Sequence, residues 1–304
     1  MAYFADRGYD VWGMSMRTEG LVAGSCESKA IDCSAMAGWG IQTLIDDASF
    51  VRDRIEDRHP GHRPVVGGVS LGSIVAVALI NAYPDDYAGF LLQEGTVYDA
   101  DPGERALAQS FCSLFEGDLA NGIYYDGQQL GGLKLVAGLA TSNPQGPSPL
   151  PGFPAGFTNH QAFVSVMSTP GIGPIPPRPN YYFLEGDPIQ DRFVSASDAL
   201  ARANIAGFID YLPLRTVRDL DCGMAGEPTF WSNLGAYHGA VFVNAGGHGF
   251  GRTMLDTVAL MPKARATVNF VQPFGHMDHF FAVDHRALTE EPILDWLESD
   301  VFGR

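Results

Sequence analysis

Ser70 stands in Gly68-Val69-Ser70-Leu71-Gly72, between an apolar run ending in Val65-Val66-Gly67 and a helix-like stretch from Ser73 to Tyr83. A serine with a strand before it and a helix after it can serve as the nucleophile of an acyl transfer. The turn that exposes such a hydroxyl is so sharp that side chains two residues before and two after it would collide, and glycine fills both positions here. In a chain with 36 glycines the five-residue pattern alone is weak, so the flanking elements carry the weight. A serine hydroxyl is a poor nucleophile until a base takes its proton, and the base needs an acceptor that fixes its tautomer. Of the 8 histidines, His59 and His62 precede the elbow strand, His160 falls in a Pro/Gly-rich stretch and His238 precedes a later strand. His276 and His279 follow the last expected strand, on the sheet edge where the elbow must lie, and one of them is the expected base.

The elements that must position these groups follow from periodicity. Tyr9 to Gly13 reads as a short buried strand, and Met1 to Gly8 as the end of an amphipathic helix closed by Gly8. Ile41, Leu44, Ile45, Ala48, Val51 and Ile55 recur at helical spacing opposite a charged face, and His59-Pro60-Gly61 ends that helix. Arg63 to Gly68 is the strand leading to Ser70, and Tyr87 to Gln93 is the next strand. Strands alternating with helices predict an α/β protein with a mostly parallel sheet covered by helices. From about Gly95 to Gly235 the alternation fails, leaving helix-like pieces at Glu104 to Phe115, Gln128 to Leu139 and Ser195 to Leu212. The Pro/Gly-rich run Asn143 to Pro179 is too long for an ordinary connection and reads as a lid. The sheet pattern resumes with a strand at Ala240 to Asn244, a helix at Thr253 to Leu260, a strand at Ala266 to Val271 and a last helix at Glu291 to Leu297. The division expected is a core of residues 1–96 and 237–304 with a large helical cap insertion at 97–236.

Composition narrows the function classes. At 46% hydrophobic and 18% charged residues the chain is globular, and no apolar run is long enough for an integral membrane segment. A formal charge of -16 repels phosphate backbones, so nucleic acid is excluded as an expected partner. Cys26 and Cys33 lie close enough to close a short loop, a bridge weighed evenly against four free thiols; if formed, it points to a secreted or extracytoplasmic protein. Asp278, Asp284 and His285 stand near His276 and His279, but their spacing matches no complete metal motif, and no cofactor is implied.

Two further segments carry a resemblance. Tyr9-Asp10-Val11-Trp12 followed by Arg17, and Gly275-His276-Met277-Asp278, are similar to the Y-D-V-W and G-H-x-D segments of lipases and esterases in the α/β-hydrolase superfamily. The resemblance spans residues 1–96 and 237–304. It implies Ser70 as nucleophile, the Leu71 backbone N–H as an oxyanion donor and His276 as base, with His279 the competing base. It also implies an acid after the strand Ala240 to Asn244, where Ala245-Gly246-Gly247-His248-Gly249 offers none. Glu94, at the end of the strand next to the elbow strand, is the first substitute, followed by Asp256 and Asp187. The earliest strands of the family and its second oxyanion loop have no counterpart ahead of Tyr9, so the expected sheet is N-terminally truncated.

The expected activity is hydrolysis of a small carboxylic ester. Apolar cap residues, among them Phe153, Phe157, Phe163, Val164, Val166, Met167, Tyr181, Tyr182 and Phe183, point to a weakly polar substrate. The alternatives are a non-catalytic or impaired binding protein on the same fold, favoured by the missing acid and oxyanion loop, and a lactonase or amidase.

Overall fold

Strands that read Val-Val-Gly-Gly-Val and Gly-Phe-Leu-Leu-Gln carry no charge because neighbouring elements cover both of their faces. The computed structural model describes residues 1–126, 128–168, 202, 203, 205, 207, 210–227 and 229–303. Among the described residues the strands are β1 (Val65–Val69), β2 (Gly89–Gln93), β3 (Tyr125–Asp126), β4 (Leu212–Pro213), β5 (Ala240–Gly246) and β6 (Arg265–Val271). β1, β2, β5 and β6 form one sheet in that spatial order, every pair parallel. The register aligns Val69 with Gln93 and Gln93 with Asn244, so β1 and β2 end side by side.

Alternation along the strands sorts the core into two layers. Phe90, Leu92, Val241, Val243 and Ala245 face the helices Ile41–Arg58, Leu71–Ala82 and Gly251–Ala259. Leu91, Ala240 and Phe242 face Ile293, Trp296 and Leu297 on the other side. Leu71–Ala82 is buried around its whole circumference from Ser73 to Ile80, and apart from Ser73 that stretch is entirely apolar, as a helix covered on all sides must be. Ile41–Arg58 opens on Gly40, which has no side chain to cap it, and Asp219 Oδ2 accepts the Ile41 N–H at 3.1 Å instead.

Two expectations need correction. Tyr9 to Gly13 is not a strand: it joins no ladder among the described residues, and without one its backbone stays irregular, with Asp10 and Gly13 exposed. The helix expected to run to Leu212 lies largely outside the described residues, and Leu212–Pro213 is β4, paired antiparallel with β3. A helix that the periodicity reading does not include is Leu214–Ala225, whose Leu220 and Met224 enter the main core while Leu214 and Val217 meet Phe115.

Both cysteine pairs are joined, Cys26 to Cys33 and Cys112 to Cys222. The second ties Pro102–Ala120 to Leu214–Ala225, and a separation of 110 residues leaves no local signal for it in the sequence. No described helix is long and apolar enough to cross a membrane.

Candidate active site

The turn from β1 into Leu71–Ala82 puts Ser70 at φ 55° and ψ -120°, a conformation sparsely populated outside glycine. A Cβ on Gly68 would strike the backbone of Gly72, which is the steric demand read from the sequence. The Ser70 N–H donates to the Gln93 carbonyl at 2.9 Å, fastening the elbow to the end of β2. Three non-glycine residues among those described have positive φ: Lys29 in a surface turn, Ser70 and Glu94. Two of the three therefore sit side by side where β1 and β2 end, and such strain, at about 1–3 kcal/mol each, persists only where the surroundings enforce it.

Glu94 is fully buried. Its Oε1 accepts the N–H of Gly246, and its Oε2 that of Phe250 at 2.8 Å, so both oxygens are held by the loop that follows β5. That same loop lacks a carboxylate of its own. A side chain on Gly249 would occupy the place of the Glu94 carboxylate, so the loop is built to receive one from the neighbouring strand. His276 Nδ1 lies 3.5 Å from Oε2, and His279 Nε2 lies 3.7 Å from Oε1. These separations are ion-pair distances slightly too long for full hydrogen bonds; catalytic contacts often tighten only when substrate binds. Burial pushes the Glu94 carboxyl up, yet the N–H groups and charge of His276 and His279 together outweigh it and hold the acid below the ordinary glutamate value. Glu94 is thus a carboxylate at neutral pH.

The loop after β6 carries both histidines. Asp278 Oδ2 accepts the Gly275 N–H at 2.7 Å, closing the turn that contains His276. The His248 N–H donates to the Phe274 carbonyl at 2.9 Å and the Gly247 N–H to that of Val271 at 3.1 Å, which lock the loops after β5 and β6 together. The His276 ring stands edge-on to Phe250 with centroids 5.1 Å apart. Beneath the site an amide ladder crosses three strands: Asn244 donates to Gln93 at 3.1 Å, and Asn269 to Asn244 at 2.7 Å. Nothing in the sequence pattern marks that ladder, since polar residues at strand ends are commonplace.

Ser70, Leu71, Glu94, His276 and His279 are therefore gathered at one end of the sheet. Asp256 lies elsewhere: its Oδ2 accepts the Ala100 N–H at 3.0 Å, and no ion pair links it to a histidine among the described residues. Asp187 falls outside the described residues. The helices Gln128–Ser142 and Asn159–Ser168 share an apolar cluster, and Met277, Phe280 and Phe281 from the histidine loop pack into it. Phe163, Val164 and Met167 are fully buried there, and Phe153 stacks on Phe157 at 5.7 Å. Burial in this cluster accounts for the apolar character of Phe163, Val164 and Met167, so these three give no support to a weakly polar substrate; Tyr181, Tyr182 and Phe183 lie outside the described residues. The acidic and histidine residues from His276 to His285 do not converge as metal ligands among the described residues; the group that does converge, Cys112, Glu116 and Cys222, has its sulfurs joined in a disulfide.

No protein-family model and no curated protein sequence matches the chain. Solved structures do. A Sulfolobus solfataricus protein assigned as a lipase aligns over 97% of this chain and 75% of its own, with a TM-score of 0.64 at 18% identity. A thermostable carboxyl esterase from Bacillus coagulans, solved with glycerol, aligns over 86% of this chain and 73% of its own, with a TM-score of 0.52 at 14% identity. At these identities the likeness establishes the fold alone, and the chain has the α/β-hydrolase fold.

Proposed function

We propose that the chain is a serine hydrolase that cleaves a carboxylic ester of a weakly polar substrate through an acyl-enzyme on Ser70. The observation that carries this reading is the strained Ser70 elbow beside a buried, ionised Glu94 that faces His276 at 3.5 Å. In this mechanism Ser70 Oγ attacks the ester carbonyl while His276 Nε2 takes its proton, and Glu94 holds Nδ1 protonated and balances the imidazolium. The Leu71 N–H, at the N-terminus of Leu71–Ala82, stabilises the oxyanion, helped by the helix dipole. Protonated His276 then hands the proton to the leaving alcohol. A water, deprotonated by the same ring, attacks the acyl-enzyme and releases the acid.

Within residues 97–236 the helices Gln128–Ser142 and Asn159–Ser168 serve as the cap over this site, while Ala108, Leu220, Met224, Trp231 and Leu234 of the same segment pack into the main core with 1–96 and 237–304, which carry the catalytic residues. The contacts of Met277 and Phe280 with the insertion's apolar cluster support that division, because they tie the histidine loop to the cap. Apolar side chains around the histidine, Phe250 among them, favour a weakly polar acyl group. Two disulfides favour an oxidising, extracytoplasmic compartment.

The test is a substrate panel on the purified protein: p-nitrophenyl acetate, butyrate and octanoate, a γ-lactone and a p-nitroanilide. The reading requires ester turnover that disappears in both Ser70→Ala and His276→Ala. Faster opening of the lactone or anilide would keep the nucleophile and change the leaving group. Ester turnover absent from the wild type, or unaffected by both substitutions, would overturn the reading.

A further inference from the structure

We propose that His279 is a positioning residue that holds the second oxygen of Glu94, rather than a base for Ser70; this rests on the hydrolase reading above. A carboxylate offers two oxygens, and in Glu94 each meets one backbone N–H and one imidazole. Oε2 has Phe250 N–H and His276, while Oε1 has Gly246 N–H and His279. Both nitrogens of His279 face partners inside the fold: Nε2 approaches Oε1 to 3.7 Å, an ion-pair distance, and Nδ1 lies 3.0 Å from Thr289 Oγ1. An imidazole whose two nitrogens face a carboxylate and a hydroxyl has none left for a serine. The residue is 1% exposed, and its ring stands edge-on to Phe274 at a centroid distance of 5.1 Å, which fixes its plane.

The proton on Nε2 follows from its partner. Ionised Glu94 can only accept, so Nε2 carries a proton toward Oε1, while Nδ1 pairs with the Thr289 hydroxyl. Held this way, His279 keeps Glu94 from rotating about its terminal bond and so presents Oε2 to His276. Without it Oε1 retains a single donor, and the carboxylate swings away from the line to His276. The titratable groups facing Glu94 among the described residues are His276 and His279; the loop after β5 contributes backbone N–H groups.

The experiment combines kinetics with a spectroscopic reading of the ring. His279→Leu should lower kcat on the order of tenfold, the low end of the effect of losing a hydrogen bond to a charged group because the contact is a long one, with KM little changed. His279→Gln, whose amide N–H reaches the Nε2 position, should recover part of that loss, and Thr289→Val should cost less than His279→Leu. In 15N-histidine-labelled wild type, His279 Nε2 should carry a proton, and Glu94→Gln should shift its signals. The NMR measurement needs no variant of His279 and so survives if His279→Leu fails to fold. Wild-type kcat in folded His279→Leu would overturn the inference. So would a His279 Nε2 that carries no proton, or loss of fluorophosphonate labelling in His279→Gln with labelling kept in His276→Ala. Failure of the hydrolase reading appears differently, as a wild type inert toward esters and fluorophosphonate, and the NMR result then still decides whether His279 and Glu94 are coupled.

Discussion

Replacing Glu94 with glutamine changes neither size nor shape, yet the surroundings are built for an acceptor. Whichever oxygen becomes the amide nitrogen, it meets the N–H of Gly246 or of Phe250, donor against donor. Losing a hydrogen bond to a charged group costs about 1.5–3 kcal/mol, which sets the expected loss of folding stability. The larger effect falls on the reaction. With no carboxylate near Nδ1, His276 loses both the group that selects its tautomer and the charge that balances its imidazolium. An isosteric amide in an equivalent triad lowers kcat by about 10⁴, or about 5.5 kcal/mol of transition-state stabilisation. The wild-type separation of 3.5 Å is long, so the loss expected here is on the order of 10³ to 10⁴ in kcat, with KM nearly unchanged. The assay is initial-rate hydrolysis of p-nitrophenyl butyrate over a range of concentrations, beside a thermal melt that confirms folding. A folded Glu94→Gln within about tenfold of wild type, while Ser70→Ala is inactive, would refute the assignment of Glu94. A comparable loss in Asp256→Asn would transfer it.

Gly249→Ala puts a methyl group where the Glu94 carboxylate sits, so kcat should fall while the melting temperature changes much less than for a core cavity; an unchanged kcat would show that the acid tolerates displacement. Removing the Cys112–Cys222 bridge by double serine substitution should cost about 5 kcal/mol by the loop-entropy relation, against about 2 kcal/mol for Cys26–Cys33; equal effects in denaturant melts would contradict that ordering. Asp221 is fully buried, neither of its oxygens has a hydrogen-bond partner among the described residues, and burial pushes its carboxyl up to about 8. The folded chain keeps this proton while the unfolded chain releases it, so stability falls as pH rises from about 4 to about 8 and is flat above. Asp221→Asn should gain up to about 4 kcal/mol relative to wild type at pH 7, and less at pH 5; a gain independent of pH would contradict the cause.

The parallel sheet is legible because its strands lack charge and its helices show an apolar stripe, features that burial imposes directly on residues such as Val65, Phe90 and Leu44. Tyr9 to Gly13 misleads because an apolar run reports a tendency toward burial and not the presence of a neighbouring strand. Leu214–Ala225 escapes notice although Leu214, Val217 and Leu220 follow helical spacing, since Arg215, Arg218, Asp219 and Asp221 dominate the run. At the candidate site, the sharp turn at Ser70 is readable from glycine spacing, and the place of Glu94 from the end of the adjoining strand. The partnership of Thr289 with His279, the amide ladder through Asn244 and the grip of the β5 loop on Glu94 depend on three-dimensional proximity and leave no trace in spacing.

Every role assigned above depends on Ser70 being a nucleophile activated at this site. Intact-mass and tandem mass spectrometry after treatment with a fluorophosphonate tests that directly. One adduct is expected, located on Ser70, lost in Ser70→Ala and strongly slowed in His276→Ala. Absence of any adduct on the folded wild type, or an adduct on another residue that persists in Ser70→Ala, would contradict it.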